Sequence, residues 1–524
     1  MPTQDRAALN LTRRGFLAIA SGTGASVALA ACTPSANSAN GGKVSGSSSA
    51  IVSGTQPPGW HAVSDRLNSR LKKDLGVTLD IEFLSFSNYV QQTLLKFTGG
   101  AKFDTALEAL WASLSQLEAS HSIVNLAGKL TKYPHLKATL PQRLLDSNTT
   151  LDGLLPGVPQ ANSAARMQHF TIREDLAKSL GYSTIEDFST LERYLYAVKK
   201  RGVVPFGVSN SQNTELVFNL YNEEYWSNPN AAAYSFGASF SGTNFGFIFA
   251  NDCVKTGRAD PKPFWDDDST IDTFRRMRRY YQDGILNADA INTDSATVTS
   301  RWASGAYGGV WAMTDGTSSN ALSTLRKKVP EAAFANVMPL KGGLHAFKPY
   351  QTFQADNIVV INANGDLDRA LAIQDWLSVQ ANHDLLEYGI EGKDWKQLSR
   401  NRYRQLSEYT FPGYALCWRP SLEKRSEYMS ATEESIFDWA QDFNNFTVSP
   451  FAKFIPNITP VKSAVAQMSS AMTQYLIPLS YGLVDVDSQL DKLKSAADAA
   501  GLELLQAEMS KQADAYLKTA ASSR

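Results

Sequence analysis

The side chains that most often do catalytic chemistry form no recognised motif in this 524-residue chain. No two of its six histidines lie four residues apart, and the HExxH pattern of zinc peptidases is absent. A GxSxG nucleophile turn, a phosphate-binding P-loop and a GxGxxG dinucleotide motif are absent as well. Carboxylates are plentiful, so a glycosidase-type pair of acids stays open. The pattern favours a binding protein over an enzyme, and it predicts no catalytic residue and no cofactor.

The three cysteines, Cys32, Cys253 and Cys417, form no CxxC pair, which argues against a zinc site or a thioredoxin-like motif. If Cys32 has another use, Cys253 and Cys417 are left as either one disulfide outside the cytoplasm or two buried free thiols. The sequence leaves both alternatives open.

The N-terminal segment that ends at Cys32 indicates an export signal. The letters TRRGFL, with Arg13 and Arg14, resemble a twin-arginine signal. The apolar run over residues 16–31 is too short to span a bilayer and is typical of a signal peptide's hydrophobic region. The letters LAAC, ending at Cys32, resemble a bacterial lipobox, in which the cysteine is lipidated. We therefore expect residues 1–31 to be a lipoprotein signal peptide and Cys32 to anchor the mature chain to the extracytoplasmic face of the cell membrane.

The composition of the whole chain is that of a soluble globular protein with two or more domains. Of its residues 43% are hydrophobic and 19% are charged, and the net charge is −1. That balance gives no electrostatic case for binding nucleic acid. Residues 33–50, TPSANSANGGKVSGSSSA, are small and polar without apolar periodicity. We predict that residues 32–50 are the lipidated cysteine and a flexible tether.

Beyond the tether, strand and helix patterns alternate, which predicts an α/β domain with parallel strands. GVTLDIEF (76–83) has strand alternation after a helical stretch at 62–75, and DTALEAL (104–110) predicts a further strand. FTIREDLAKSLG (170–181) predicts a strand that runs into a helix, and GVVPFGVS (202–209) predicts a buried strand. Helices are predicted to dominate after Ile361, at 367–386, 426–443, 461–476, 486–499 and 502–519.

Several segments resemble, in order, the extracellular solute-binding proteins of bacterial ABC importers, within the large carbohydrate-binding group. FDTALEALWASLSQLEASHSIVNLAG (103–128) resembles a strand that ends at a ligand-facing aromatic residue. YYQDGILNADAIN (280–292) and RWASGAYGGVWAM (301–313) resemble the family's pattern in its second lobe. YGIEGKDW (388–395) and GLELLQAEMSKQADAYLKT (501–519) resemble a subgroup of large lipoprotein solute binders.

This resemblance implies a two-lobed, periplasmic-binding-protein-like α/β fold with a hinge and a ligand cleft between the lobes. It implies lobe 1 at 51–165 and 355–410, and lobe 2 at 166–354 and 411–524. Many members of the subgroup carry an acidic calcium loop that AVKKRGVVPF lacks, so no metal site is predicted. The DDDS run at 266–269 is interpreted as a solvated turn and helix start.

A sugar cleft needs aromatic faces for stacking and polar side chains for hydrogen bonds to hydroxyls. Trp111 follows a strand-like run, and Trp311 ends another; the resemblance places ligand-stacking aromatics at both segments. Other aromatic candidates are Trp60, expected in an exposed loop before the first helix, Tyr225 and Trp226 in NEEYWSNP, and Trp418 near a lobe crossing. Asp315, in the loop after Trp311, is the acidic candidate. Trp302, Trp376 and Trp439 lie in apolar helical patterns and are predicted to be core.

The resemblance implies capture of an extracellular carbohydrate, an oligosaccharide, by a monomer that delivers it to a membrane permease without hydrolysing it. Three alternatives remain: binding of a peptide or another polar solute, an exported glycan-active enzyme, and a surface lipoprotein with an unused cleft.

Overall fold

The computed structural model describes residues 44–522 apart from 164, 166, 211–216, 228–236, 241–244, 314–319, 347, 354 and 356. Arg13, Arg14, Cys32 and Asp315 lie outside the described residues. Within the described residues, no helix is both long enough and apolar enough to cross a bilayer.

Strands of the described chain form five sheets, of which two are central to the molecule. The strands are β1 Gly46–Ser53, β2 Val77–Leu84, β3 Thr105–Glu108, β4 Gly157–Gln160, β5 Gln168–Arg173, β6 Gly237–Ser239, β7 Gly246–Ile248, β8 Lys262–Pro263, β9 Gly309–Met313, β10 Phe334–Val337, β11 Tyr350–Gln351, β12 Asn357–Ile361, β13 Trp395–Ser399, β14 Arg402–Gln405, β15 Arg425–Ser426 and β16 Thr447–Val448. The first central sheet has the order β2-β1-β3-β12-β4, and the second has the order β10-β5-β9.

Helices connect and cover these sheets, and they dominate the C-terminal part as predicted. They are α1 Trp60–Asp74, α2 Phe86–Thr98, α3 Leu114–Ala119, α4 Pro134–Thr139, α5 Gln142–Ser147, α6 Glu174–Ser179, α7 Phe188–Lys199, α8 Glu223–Ser227, α9 Cys253–Thr256, α10 Asp268–Gln282, α11 Ser295–Ala303, α12 Asn320–Arg326, α13 Leu367–Leu377, α14 Gln380–Glu387, α15 Ala431–Gln441, α16 Lys462–Ala471, α17 Ile477–Ser480, α18 Val486–Ala499 and α19 Leu502–Ser522. A π-helical turn, Met472–Leu476, joins α16 to α17.

The first sheet mixes parallel and antiparallel pairs. Strand β1 pairs in parallel with both β2 and β3, whereas β12 runs antiparallel to β3 and β4. The predicted alternation in β2 is confirmed, since Val77, Leu79 and Ile81 are buried on one face. Strand β12 is buried along its whole length because it lies between β3 and β4 and is covered on both faces. The predicted parallel α/β arrangement is therefore present around β1.

The tether prediction extends too far, because residues 46–50 belong to β1 and not to a linker. The Ser-rich half of this strand is held by polar contacts instead of apolar alternation. Ser48 Oγ donates to Asp104 Oδ2 at 2.6 Å, and Asp104 also accepts from Arg369 Nε at 2.7 Å and Nη2 at 2.8 Å. Both Ser48 and Asp104 are buried. Ser48 can thus lie buried in an inner strand because the carboxylate of a distant ion pair accepts a hydrogen bond from its hydroxyl group.

Two large hydrophobic cores organise the molecule. The first takes its residues from 50–161 and 358–417, and the second from 165–353 and 436–517. The predicted core tryptophans are confirmed as buried: Trp302, Trp376 and Trp439. Cys253 belongs to the second core and Cys417 to the first, and both are free, buried thiols. Their placement in separate cores explains why they do not form a disulfide.

Most of the sequence predictions for single short segments are confirmed. The strand-to-helix transition of β5 into α6 is confirmed, and Gly181 follows the helix with a left-handed φ of 87°. Asp267 caps α10 by accepting from the Thr270 amide at 2.8 Å, so the acidic run does start a helix. The strand prediction for GVVPFGVS is wrong: the segment makes only isolated bridges, and Pro205 removes a ladder donor from its centre.

Candidate functional site

The order of strands in the first sheet creates a crevice at one edge. The chain leaves β1 for β2 on one side and then returns to β3 on the other, so the connections diverge between β1 and β3. Such switch points open a crevice at the carboxyl ends of the strands, where α/β proteins bind ligands. Gly54 and Thr55 follow β1 at this edge, and Trp111 follows β3.

Trp111 presents an aromatic face at this edge. Its side chain is 42% exposed, and its ring stacks on Phe86 with centroids 5.4 Å apart and an interplanar angle of 27°. Phe86 begins the helix after β2 and is 55% exposed. The two rings therefore lie in the segments that follow β2 and β3, the strands on either side of β1. An exposed aromatic pair in a crevice offers a surface for the flat C–H face of a sugar ring.

Glu108 supports the turn that carries Trp111. It ends β3, is 1% exposed, and its Oε2 accepts from the Ser113 amide at 3.0 Å, which closes residues 109–113 into a turn. Its other oxygen, Oε1, is buried without a hydrogen-bond partner among the described residues. Burial raises the pKa of Glu108 to about 7, although its backbone hydrogen bonds oppose that rise.

A cavity of about 510 Å³, which we call the inter-core cavity, begins beside the same edge. Its wall includes Thr55 after β1, Asn162 where the chain leaves the first core, and Thr299 on α11. Helix α11 packs on the second central sheet, since its Trp302 stacks on Phe334 of that sheet with centroids 4.3 Å apart. Aromatic side chains complete much of the wall, among them Tyr388, Tyr403, Tyr414 and Trp418. The cavity therefore lies between the end of β1, the β13-β14-β15 sheet that carries Tyr403, and α11, which packs on the second central sheet.

Trp418 is held in the cavity wall by a buried carboxyl group. Its indole Nε1 donates to Glu387 Oε1 at 3.3 Å, and its ring meets Tyr414 edge-on at 5.9 Å. Cys417 Sγ donates to the other Glu387 oxygen at 3.2 Å. Burial, with the charge of Glu423 adding to it, raises the pKa of Glu387 well above its ordinary value. His383 lies beside these groups, so His383, Glu387 and Cys417 are potential metal ligands in the described part of the chain.

Trp311 lies on β9 of the second sheet, opposite Phe170 of β5. It is half-buried, and its indole Nε1 has no hydrogen-bond partner within the described residues. Gln168 lies on the same face of the sheet, two residues before Phe170, and its Oε1 is likewise buried and unpaired in the described structure. This end of the sheet follows Ala165 and Met167, which belong to the second core, whereas Ala161 belongs to the first. Trp311 is thus near the crossing, but it does not line the inter-core cavity.

Trp60 is not the exposed loop residue that the sequence suggested. It starts α1 and is 6% exposed, stacked on Phe411 at 5.8 Å and edge-on to Phe83 at 5.2 Å. Its ring contributes to the first core, and Phe411, not Trp60, reaches the cavity wall. The expectation failed because burial is decided by Phe411, which is distant in sequence.

Trp226 is also core, contrary to the expectation that it faces a ligand. It is fully buried and its Nε1 donates to the Leu220 carbonyl at 2.8 Å. Tyr225 packs edge-on against it at 4.8 Å, is half-buried, and has its pKa raised by burial to about 12. Neither residue lines the inter-core cavity. Among the predicted ligand residues that are described, Trp418 lines this cavity and Trp111 lies at the neighbouring sheet edge.

Sequence reasoning missed most of the cavity wall. Tyr388, Tyr403 and Glu387 of the wall, and Phe86 at the neighbouring sheet edge, were not singled out, although GIEGKDW directly follows Tyr388. One available signal was the spacing of His383 and Glu387, four residues apart on α14, which places both side chains on one helix face.

Comparisons with known proteins fit this geometry. A family model described as a domain of unknown function (DUF3502) matches residues 450–518. The chain is 23% identical over 479 residues to a protein of Streptococcus pneumoniae serotype 4 named carbohydrate ABC transporter substrate-binding protein, covering 89% of this chain and 90% of the relative.

Solved structures of solute-binding proteins share the fold. An N-glycan transport solute binding protein (NgtS) from Streptococcus pneumoniae, in complex with Man1GlcNAc, superposes with a TM-score of 0.70 at 19% identity, covering 90% of this chain and 100% of the other. The alginate-binding protein AlgQ2 gives a TM-score of 0.60 at 15% identity, covering 90% and 98%. The predicted resemblance to ABC-importer solute-binding proteins and the predicted two-lobed α/β fold class are confirmed.

Proposed function

We propose that this chain is the extracytoplasmic solute-binding component of an ABC importer and that it captures a carbohydrate, specifically an oligosaccharide. The observation that carries the proposal is the inter-core cavity, which lies between the end of β1, beside the β1/β3 switch point, and α11, which packs on the second central sheet. A volume of about 510 Å³ falls within the range of roughly 300–1,000 Å³ typical of small-molecule sites. The stacked pair of Trp111 and Phe86 extends the aromatic surface beyond the cavity, as a ligand of several sugar units requires.

The chemistry of the cavity wall suits a neutral, hydroxyl-rich ligand. Tyrosine and tryptophan faces supply stacking, while Asn162, Gln405 and threonine side chains supply donors and acceptors. Each desolvated sugar hydroxyl needs a partner, because an unpaired one costs about 1–3 kcal/mol. The named relatives support this choice of ligand, since one is described as a carbohydrate transporter's binding protein and another as an N-glycan binder.

In the proposed mechanism, the two cores are the two lobes, and the hinge lies at the three places where the chain passes from one core to the other: after Ala161, after Phe353 and after Cys417. A ligand that touches both lobes stabilises the closed state by its differential affinity for that state. The permease then recognises the closed surface, and the importer's ATPase supplies the energy. No bond of the ligand is broken.

The proposal includes export and anchoring through the N-terminal segment. Arg13 and Arg14 would direct twin-arginine export, and lipid on Cys32 would hold the protein at the extracytoplasmic face of the membrane. Two acyl chains give a stable anchor, at ~0.8 kcal/mol for each buried CH₂. The test is metabolic labelling with a palmitate analogue in cells, which should label the wild type and not Cys32→Ala.

A thermal-shift screen against mono- and oligosaccharides tests the binding function. A ligand that binds only the native state stabilises it by about 2.7 kcal/mol at a hundredfold excess over Kd. Trp111→Ala should reduce the shift, whereas Tyr281→Ala, which removes a similarly exposed aromatic on α10, should not. Absence of a shift with every glycan tested would contradict the proposal.

A pair of variants on α11 tests whether the inter-core cavity is the binding site. Thr299 is exposed and lines the cavity, so Thr299→Trp should obstruct it without disturbing a core. Ser300 is exposed on the same helix and does not line the cavity, so Ser300→Trp is the matched control. Equal glycan binding by both variants would place the ligand elsewhere.

A further inference from the structure

His383, Glu387 and Cys417 form a compact group of metal-ligating atoms outside the aromatic surface described above. His383 and Glu387 lie one turn apart on α14, and Cys417 comes from the segment that follows the turn at 413–415. One ligand atom from each residue lies within 4.8 Å of the other two. The side chains of His383 and Cys417 are fully buried. Three ligands of different chemistry thus converge from two separate parts of the chain.

The separations suit a tetrahedral ion. Zinc bonds of about 2.3 Å to sulfur and about 2.0–2.2 Å to nitrogen or oxygen place neighbouring ligand atoms roughly 3.2–3.7 Å apart. Cys417 Sγ lies 3.2 Å from Glu387 Oε2, and a ring nitrogen of His383 lies within 4.8 Å of the ligand atoms of both residues. Only small side-chain movements would bring the three ligands around one ion.

The surroundings of His383 match those of a zinc-ligating histidine. Its Nδ1 lies 3.3 Å from Asp384 Oδ1, and Lys424 Nζ holds the other Asp384 oxygen at 3.3 Å. A carboxylate that accepts from Nδ1–H leaves Nε2 as the metal-binding atom, and Zn²⁺ would replace the contact that Nε2 makes with Glu423 Oε1 at 3.0 Å. Asp384 is therefore placed as the orienting group, and Lys424 secures it.

We propose that His383, Glu387 and Cys417 bind one Zn²⁺, with the fourth coordination position open to water from the inter-core cavity, whose wall includes Glu387 and Glu423. Sulfur, imidazole and carboxylate together are a ligand set that zinc prefers over calcium or magnesium. Binding forms bonds to Sγ, Nε2 and a Glu387 oxygen, and it releases to solvent the protons that Cys417, Glu387 and His383 carry. The ion would join α14 to the 409–418 segment of the cavity wall.

Titration of the metal-free full chain with Zn²⁺ alone, followed by calorimetry, is the first test. We expect one equivalent to bind, with an affinity that weakens as pH falls because the ligands must lose protons. Cys417→Ser and His383→Asn should each weaken binding at least tenfold. Cys253→Ser, which changes the other buried free thiol, is the matched control and should bind as the wild type does.

Substitution with Co²⁺ gives a readout that does not require a variant to fold. A thiolate-to-cobalt charge-transfer band in the wild-type chain supports the proposal, and a spectrum without that band overturns it. Lack of stoichiometric Zn²⁺ binding, or unchanged binding by a folded Cys417→Ser chain, would also overturn it. Glycan binding is measured separately in chelator, so its failure and the failure of the zinc site are distinguishable.

Discussion

Glu108→Gln should change how the stability of the protein depends on pH. In the folded chain Glu108 is buried, with one oxygen on the Ser113 amide and the other unpaired among the described residues. Raising its pKa from 4.5 to about 7 corresponds to about 3 kcal/mol of preference for the protonated form. Glutamine keeps an acceptor for the Ser113 amide but cannot ionise.

The direction follows from proton linkage. Between pH 4.5 and about 7 the folded state binds more protons at Glu108 than the unfolded state, so this group's stabilising contribution is fully present below pH 4.5 and is lost as pH rises to about 7. We expect Glu108→Gln to gain about 3 kcal/mol relative to wild type between pH 4.5 and pH 8. An amide without an acceptor would lower the stability equally at both pH values, so it would not alter this difference.

Urea unfolding of wild type and variant at pH 4.5 and pH 8, followed by tryptophan fluorescence, measures this difference. Glu391→Gln, at an exposed glutamate, is the control and should follow the wild type at both pH values. A difference between Glu108→Gln and wild type that does not change with pH would refute the reasoning, as would a change of opposite sign.

Other predictions concern the stability of the first core and the position at which the folded chain begins. Trp60→Ala should cost about 3–5 kcal/mol in urea unfolding, because it leaves a cavity beside Phe411, whereas Trp111→Ala should cost less than about 1 kcal/mol. Arg369→Met should lower the free energy of unfolding by about 3–5 kcal/mol, because it leaves Asp104 buried without its cation. A chain that begins at residue 44 should fold, as judged by circular dichroism, whereas one that begins at residue 51 should not, since it lacks the first half of β1.

Local patterns predicted the elements whose residues carry their own signals. The apolar alternation of β2, the amphipathic helices of the C-terminal part and the strand-to-helix transition before Gly181 needed no distant partner. The Ser-rich start of β1 carried no such signal. The burial of Ser48 depends on Asp104 and Arg369, which lie 56 and 321 residues away in sequence and which no local pattern connects to it.

The residues of the candidate site also divide into those that a local pattern predicts and those that only distant contacts explain. Trp111 could be predicted because it directly follows a short strand, and strand ends are where such sheets bind ligands. Trp60 and Trp226 were misjudged because residues distant in sequence bury them: Phe411 packs on Trp60, and Phe170 packs on Trp226 in the second core. The inter-core cavity could not be predicted, since its wall joins residues from Gly54 to Phe437 that meet only in the folded chain.

Calorimetric titration of an N-glycan-derived oligosaccharide into the purified chain, with mass analysis of the recovered ligand, tests the central claim most directly. We predict saturable binding of one ligand per chain, loss of that binding in Thr299→Trp but not in Ser300→Trp, and recovery of the glycan unchanged. Heat of binding that is absent for every oligosaccharide, or new reducing ends that accumulate with time, would contradict the account.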